Sequence, residues 1–179
     1  MARARSVSVA AGAVALLGVA LLAAQVVADR SGHRSRRATA ATGTGAPRAT
    51  YLLEPSGRPA VGVSVEVAAT PAARERGLMG RTSVPAGTGM VFLMPSDTTV
   101  RFWMKDTLVP LSIAFVAADG HVVEVDEMPP CHANPCPTYG PNRPYRSAIE
   151  LAAGGFSRAG IHPGDLVVPE DPTSLPAAA

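Results

Sequence analysis

Arg101, Trp103, Lys105, Asp106 and Thr107 fall between positions 101 and 107 and combine one large aromatic ring with two cations, a carboxylate and a hydroxyl. Trp103 is the only tryptophan and Lys105 the only lysine of the 179-residue chain. An aromatic face beside charged and hydroxyl groups can stack on a sugar or peptide and hydrogen-bond its edges. With Arg81 upstream, these residues make a candidate binding surface for a small polar or carbohydrate-like ligand, or for a protein partner in the cell envelope. The plainer alternative has Trp103 closing the edge of a core, with Lys105 paired to Asp106 or Glu75.

Cys131 and Cys136, the two cysteines of the chain, bracket His132-Ala133-Asn134-Pro135. In an exported chain such a pair is expected as a disulfide. Closing so small a loop adds only about 2 kcal/mol, so its main effect would be to fix a proline-rich segment. Free thiols and metal ligation are the alternatives, although the spacing matches neither the common structural zinc pattern nor the thioredoxin-like pair. Met79, Met90, Met94, Met104 and Met128, with Cys131, His132 and Cys136, supply soft ligands that suit Cu(I), which makes copper handling a further reading. The same methionines alternate with Leu, Val and Phe, where Met is ordinary core filler, so no metal site or cofactor is assigned.

Catalytic signals are thin. His121 follows a hairpin turn, His132 lies between the cysteines and His162 precedes Pro-Gly, and no serine nucleophile elbow, phosphate loop or HExxH pattern is present. A non-catalytic binding module is therefore favoured over an enzyme of unknown reaction built on Trp103, Lys105 and Asp106.

The elements that must position these residues follow a run from Val7 to Ala28 that carries no charge and is flanked by Arg3, Arg5, Arg30, Arg34, Arg36 and Arg37. It is long enough to span a bilayer, and Val26-Val27-Ala28 offers a small-residue cleavage site. Residues 1–28 thus read as a transmembrane anchor or signal helix. The rest of the chain is placed outside the cytoplasm, membrane-anchored, or secreted if cleavage follows Ala28. Residues 29–50 read as a flexible linker, 51–170 as one monomeric domain, and 171–179 as a disordered tail. Residues 1–50 hold seven Arg and one Asp (net +6), and residues 51–179 hold nine Lys or Arg against thirteen Asp or Glu (net −4), summing to +2. An acidic domain speaks against nucleic acid as a partner.

Within the domain, Val61 to Val67 alternates as a half-buried strand does, and Thr70-Pro71 opens a short helix that Gly77 can stop. Gly89 to Met94 reads as a short buried strand, with a turn at Pro95-Ser96-Asp97. Val100, Phe102 and Met104 should then share one strand face, opposite Arg101, Trp103 and Lys105. Leu111–Ala118 and His121–Glu127 form a hairpin through Asp119-Gly120, expected as a two-residue type I′ turn. Met128 to Arg146 reads as a surface loop, Ser147–Ala152 as a strand, Gly155–Ala159 as one helical turn and Leu166–Val168 as a closing strand. The fold class is mainly β: a compact β-sandwich, jelly-roll-like, or barrel domain with one or two short helices.

The runs Gly77-Leu78-Met79-Gly80-Arg81, Gly89-Met90-Val91-Phe92, the stretch from Phe102 to Phe115, and Pro130-Cys131 with Cys136-Pro137-Thr138-Tyr139 resemble the signature of the bacterial and archaeal domain of unknown function 192 family. The resemblance covers roughly residues 60 to 168, implies a jelly-roll-like β fold and brings no settled biochemical activity with it. The chain departs from that signature at Asp106, where Asn is usual, and at Ser112, where Asp is usual.

Overall fold

A computed structural model describes residues 45–179; the uncharged run at 7–28 and most of the linker lie outside the described residues. Among those described, no helix is long and apolar enough to cross a membrane.

In the described residues nine strands alternate with little helix: β1 (Arg48–Glu54), β2 (Val61–Ala68), α1 (Pro71–Arg76), β3 (Thr88–Thr98), β4 (Phe102–Trp103), β5 (Leu111–Val116), β6 (Val122–Met128), β7 (Thr138–Tyr139), β8 (Tyr145–Ala152), α2 (Gly155–Ala159) and β9 (Leu166–Pro169). Seven strands form one sheet in the order β6-β5-β8-β3-β2-β1-β9, and β4 pairs with β7 in a separate ribbon. The fold is mainly β, as expected, and its form is a curled half-barrel. Its two edge strands meet at one corner. There Val122 N–H donates to Asp165 O at 2.8 Å, Gly164 N–H to Val122 O at 2.8 Å, and Val167 N–H to Gly120 O at 2.9 Å.

Two hydrophobic clusters lie on opposite sides of the sheet, because successive side chains of a strand point to opposite faces. The inner cluster gathers Tyr51, Leu53, Val65, Val91, Ala114, Ile149 and Val167 under Phe156 of α2. The outer cluster gathers Met90, Phe92, Leu111, Ile113, Phe115, Met128 and Ala148 under Leu78 and Met104. Strand β5 serves both, and all six of its residues are buried. A strand covered on both faces reads as a continuous apolar run, and Leu111 to Val116 does so apart from Ser112.

Helix α1 forms as its residues dictate, with Thr70 Oγ1 accepting from Ala73 N–H at 3.2 Å and Gly77 ending it at φ 49°. The hairpin joins β5 to β6, but its turn is not type I′. Only Gly120 takes a positive φ, 89°, and the bonds Gly120 N–H to Ala117 O (3.1 Å) and Ala117 N–H to His121 O (2.9 Å) close a three-residue loop with a glycine bulge. The turn read at Pro95-Ser96-Asp97 lies inside β3, whose ladder with β8 loses register between Leu93 and Thr98. That irregularity accommodates a proline, which has no N–H to give.

Strand β1 begins at Arg48, so the sheet takes in the last residues of the stretch read as linker; Ala49, Tyr51 and Leu53 alternate inward. The segment read wholly as loop contains β7, and the tail read as disordered contains a 3-10 turn at Pro172–Ser174. Leu175 packs on the inner cluster and Ala179 N–H reaches Ala69 O at 2.9 Å. Short apolar anchors of this kind carry no periodicity for a sequence reading to find.

One ionisable group of the outer face is buried. Glu150 of β8 stands between Met90 and Ile113, and burial pushes its carboxyl up to about 8. Its folded value lies above the ordinary value of 4.5, so the unfolded chain releases this proton first as pH rises. The stability linked to it is complete below about pH 4.5 and falls as pH climbs towards 8. Glu150→Gln should match the native chain in urea melts at pH 4.5 and exceed it by roughly a few kcal/mol at pH 8. Parallel stability profiles for the two proteins would contradict this placement.

Candidate functional site

Chain 98–110 connects β3 to β5 over the outer face and is fastened by a two-residue ladder and by side-chain hydrogen bonds. Phe102 pairs with Tyr139 and Trp103 with Thr138. The Arg101 guanidinium bonds three acceptors across this ribbon: Nε to Thr138 Oγ1 at 3.0 Å, Nη2 to Thr138 O at 3.0 Å, and Nη1 to Gly140 O. Tyr145 Oη donates to Val100 O, and burial pushes the phenol up to about 12.

Strand alternation then sorts the signature. Phe102 turns inward, edge-on to Phe92 at 4.9 Å and to Phe115 at 5.7 Å between ring centroids. Met104 is buried beneath it, while Trp103 remains 50% exposed. Arg101 and Lys105 share the outward side with Trp103, but Val100 does not join Phe102 and Met104 inside, because it is 60% exposed where regular strand geometry has ended. Lys105 Nζ lies 5.4 Å from the Trp103 ring centroid, a cation–π contact.

The next four residues form a tight turn. Thr107 N–H donates to Met104 O at 3.2 Å, and Asp106 adopts φ 54°, unique among non-glycine residues described. A left-handed residue at the third turn position favours Gly or Asn and tolerates Asp, which gives position 106 a backbone role. Asp106 O also accepts Gly80 N–H at 2.8 Å, tying this turn to the Gly77–Arg81 run. Thr107 is buried and makes one long contact, Oγ1 to Lys105 O at 3.4 Å. Ser112, the other departure from the family signature, is buried and donates to Glu127 Oε1 at 2.7 Å; Glu127 Oε2 accepts Gly154 N–H at 3.1 Å.

Of the six candidate residues, Trp103 and Lys105 meet on an open surface. Arg101 is spent on the Thr138 hydroxyl and on the carbonyls of Thr138 and Gly140, Asp106 and Thr107 build the turn, and Arg81 points to Glu66, with Nη2 2.6 Å from Oε2. No ion pair joins Lys105 to Asp106 or Glu75 among the described residues. Beside Trp103 opens a groove of about 430 Å³ whose apolar wall is Phe92, Met94, Val100 and Phe102, with Glu75 on its rim. The wall residues were not legible as a site, since each reads as strand filler until the break in the β3 ladder opens a groove beside them.

The remaining candidates sit elsewhere. Cys131 and Cys136 hold their sulfurs at disulfide distance, 2.11 Å, with Cα atoms 5.8 Å apart. Met90, Met104 and Met128 are buried in the outer cluster. Among the described residues no set of three His, Cys, Asp or Glu side chains gathers as metal ligands. His121 and His162 are exposed at the sheet corner, with Nδ1 3.3 Å from Asp119 Oδ2 and 3.7 Å from Asp165 Oδ2, and neither borders the groove. Asp165 also accepts Ser56 N–H at 2.9 Å, Ser56 Oγ at 2.7 Å and His162 N–H at 2.8 Å, which holds its carboxyl below the usual range and marks it as a structural acceptor.

A family model described as DUF192, Uncharacterized ACR, matches residues 52–168. A solved structure from Sinorhizobium meliloti 1021, described as a "putative transcription regulator", is 28% identical with a TM-score of 0.66, over 74% of this chain and 99% of that one. A protein of unknown function from Novosphingobium aromaticivorans DSM 12444 is 29% identical with a TM-score of 0.61, over 66% of this chain and 82% of that one. No curated protein matches.

The turn makes a specific demand on position 106. Asp106→Asn should leave stability within about 0.5 kcal/mol of native, while Asp106→Val should cost about 1–3 kcal/mol in chemical denaturation, because a β-branched side chain is strained at positive φ. Equal stability of the two variants would show that the turn does not impose this conformation.

Proposed function

The chain belongs to the uncharacterised DUF192 family, and we propose that it is an exported, non-catalytic binding module whose ligand lies in the groove beside Trp103. One observation carries this reading: half-exposed Trp103 edges a concavity with an apolar wall and a polar rim. Folding normally hides most of an indole, so leaving half of it open sacrifices burial worth about 1 kcal/mol, which a ligand can recover. The groove suits a small amphipathic guest: a carbohydrate-like ligand presenting its C–H face to the ring, or a short segment of an envelope protein. Glu75 supplies an acceptor at the rim, and Lys105, above the indole, supplies a donor.

Export rests on the uncharged run at 7–28, and cysteines at disulfide distance are in keeping with an oxidising compartment. The chain is either anchored through that run or released after Ala28. The Sinorhizobium meliloti protein's description does not lead us to a nucleic-acid role, because residues 51–179 carry a net charge of −4. The enzyme alternative lacks a histidine beside the groove, and the copper alternative lacks free thiolates.

Trp103 is the chain's only tryptophan, so its fluorescence reports on the groove without labelling. Titration with oligomers of N-acetylglucosamine and with an acetylated apolar tetrapeptide should shift the emission and protect it from acrylamide with one of them, and Glu75→Ala should weaken that ligand several-fold. Unchanged emission and quenching with both probes up to 10 mM would count against the groove as a site for either ligand class.

A further inference from the structure

Arg74 and Glu75 of α1 border the Trp103 groove, whereas Ala72, Ala73 and Arg76 border a different concavity of about 650 Å³. A second concavity of about 440 Å³ shares Arg48, Glu66 and Arg81 with it, so these three stand on the wall between the two. Glu66 is central to the arrangement. Its side chain is only 13% exposed, and each carboxylate oxygen holds one guanidinium: Oε1 that of Arg48 at 3.2 Å and Oε2 that of Arg81 at 2.6 Å. The Arg81 hydrogen bond keeps the carboxyl below its ordinary value, so it stays ionised.

One carboxylate is thus divided between two forks. Each arginine donates to it through Nη2 alone, and Nε and Nη1 of both have no partner among the described residues. Arg76, on the rim, likewise has none among them. Three cations against one anion leave a local excess of two positive charges, while residues 45–179, with ten Lys or Arg against thirteen Asp or Glu, carry net −3. Guanidinium forks held side by side by a fixed carboxylate match the oxygens of a phosphoryl group, and the excess charge matches its dianion.

We propose that Arg48, Arg76 and Arg81 bind a phosphoryl dianion, with Glu66 as the positioning residue that aims two of the forks. The site is separate from the Trp103 groove and does not depend on it. Free phosphate and a phosphate monoester present the same chemistry, so both serve as probes. Isothermal titration of the full-length chain in detergent, at low salt, should detect inorganic phosphate or glycerol 3-phosphate at pH 8. Affinity should drop several-fold at pH 5, where the second phosphoryl proton, with a pKa of about 6, is bound. Tighter binding of the ester would identify a monoester as the ligand, and equal or weaker binding would identify free phosphate.

Arg81→Lys and Arg48→Gln should each lose at least tenfold in affinity. Glu66→Gln is decisive, because it raises the local positive charge while releasing the forks. A built site predicts weaker binding in this variant with the Trp103 emission spectrum unchanged. Tighter binding by Glu66→Gln, native affinity in Arg81→Lys, or no heat from either probe at 10 mM would overturn the proposal. If Arg81→Lys fails to fold, Arg48→Gln and Arg76→Gln carry the same test.

Discussion

A sheet that buries both of its faces needs a cover for each, and that need dictates most of this molecule. The inner face is closed by the sheet's own curl, by Phe156 of α2 and by the corner where Val122 meets Asp165. Among the described residues no long helix lies on the outer face. Leu111, Ile113 and Phe115 are instead roofed by irregular chain: Leu78 from the run after α1, and Phe102 and Met104 from the segment before β5. Irregular backbone cannot be buried without partners for its N–H and C=O groups, each costing about 1–3 kcal/mol if left unmet. The polar side chains of this region are therefore used as acceptor caps and turn formers before anything else.

Arg101 illustrates the point, since its fork ties β4 to β7 through Thr138 and Gly140. Arg74 does the same farther along, donating through Nη1 to Ala69 O at 2.8 Å and to Leu93 O at 3.0 Å. The Asp106 to Gly80 hydrogen bond joins the two covering segments to each other. Once these ties are made, alternation leaves Trp103 no inward position, because Phe102 and Met104 occupy both neighbouring places in the outer core. The open indole is thus a consequence of how the cover is fastened, and the groove exists because β3 loses its ladder at Pro95 beside it.

Much of the frame was legible in the residues. Val63, Val65 and Val67 alternate as a strand should, Thr70-Pro71 starts the helix it promises, and the long apolar run of β5 announces a strand. The cysteines were expected as a pair and stand at disulfide distance. What stayed hidden is non-local. Nothing near Glu66 tells that Arg48 and Arg81, 18 and 15 positions away, converge on it. Glu150 reads as an ordinary polar residue of a strand until the roof over the outer face is in place. Three of the six residues grouped as one binding surface (Arg101, Asp106 and Thr107) prove to hold backbone, because spacing reveals which residues are neighbours and not which way each one turns.

Trp103 is presented outward by a cover that does not need it. Chemical denaturation of Trp103→Ala beside Phe102→Ala tests this directly. If the indole faces solvent and ligand, Trp103→Ala should cost less than about 1 kcal/mol, while loss of the Phe102 ring from the outer core should cost about 3 kcal/mol or more. Equal, large losses in the two variants would make Trp103 a plug of the core edge and would contradict the account.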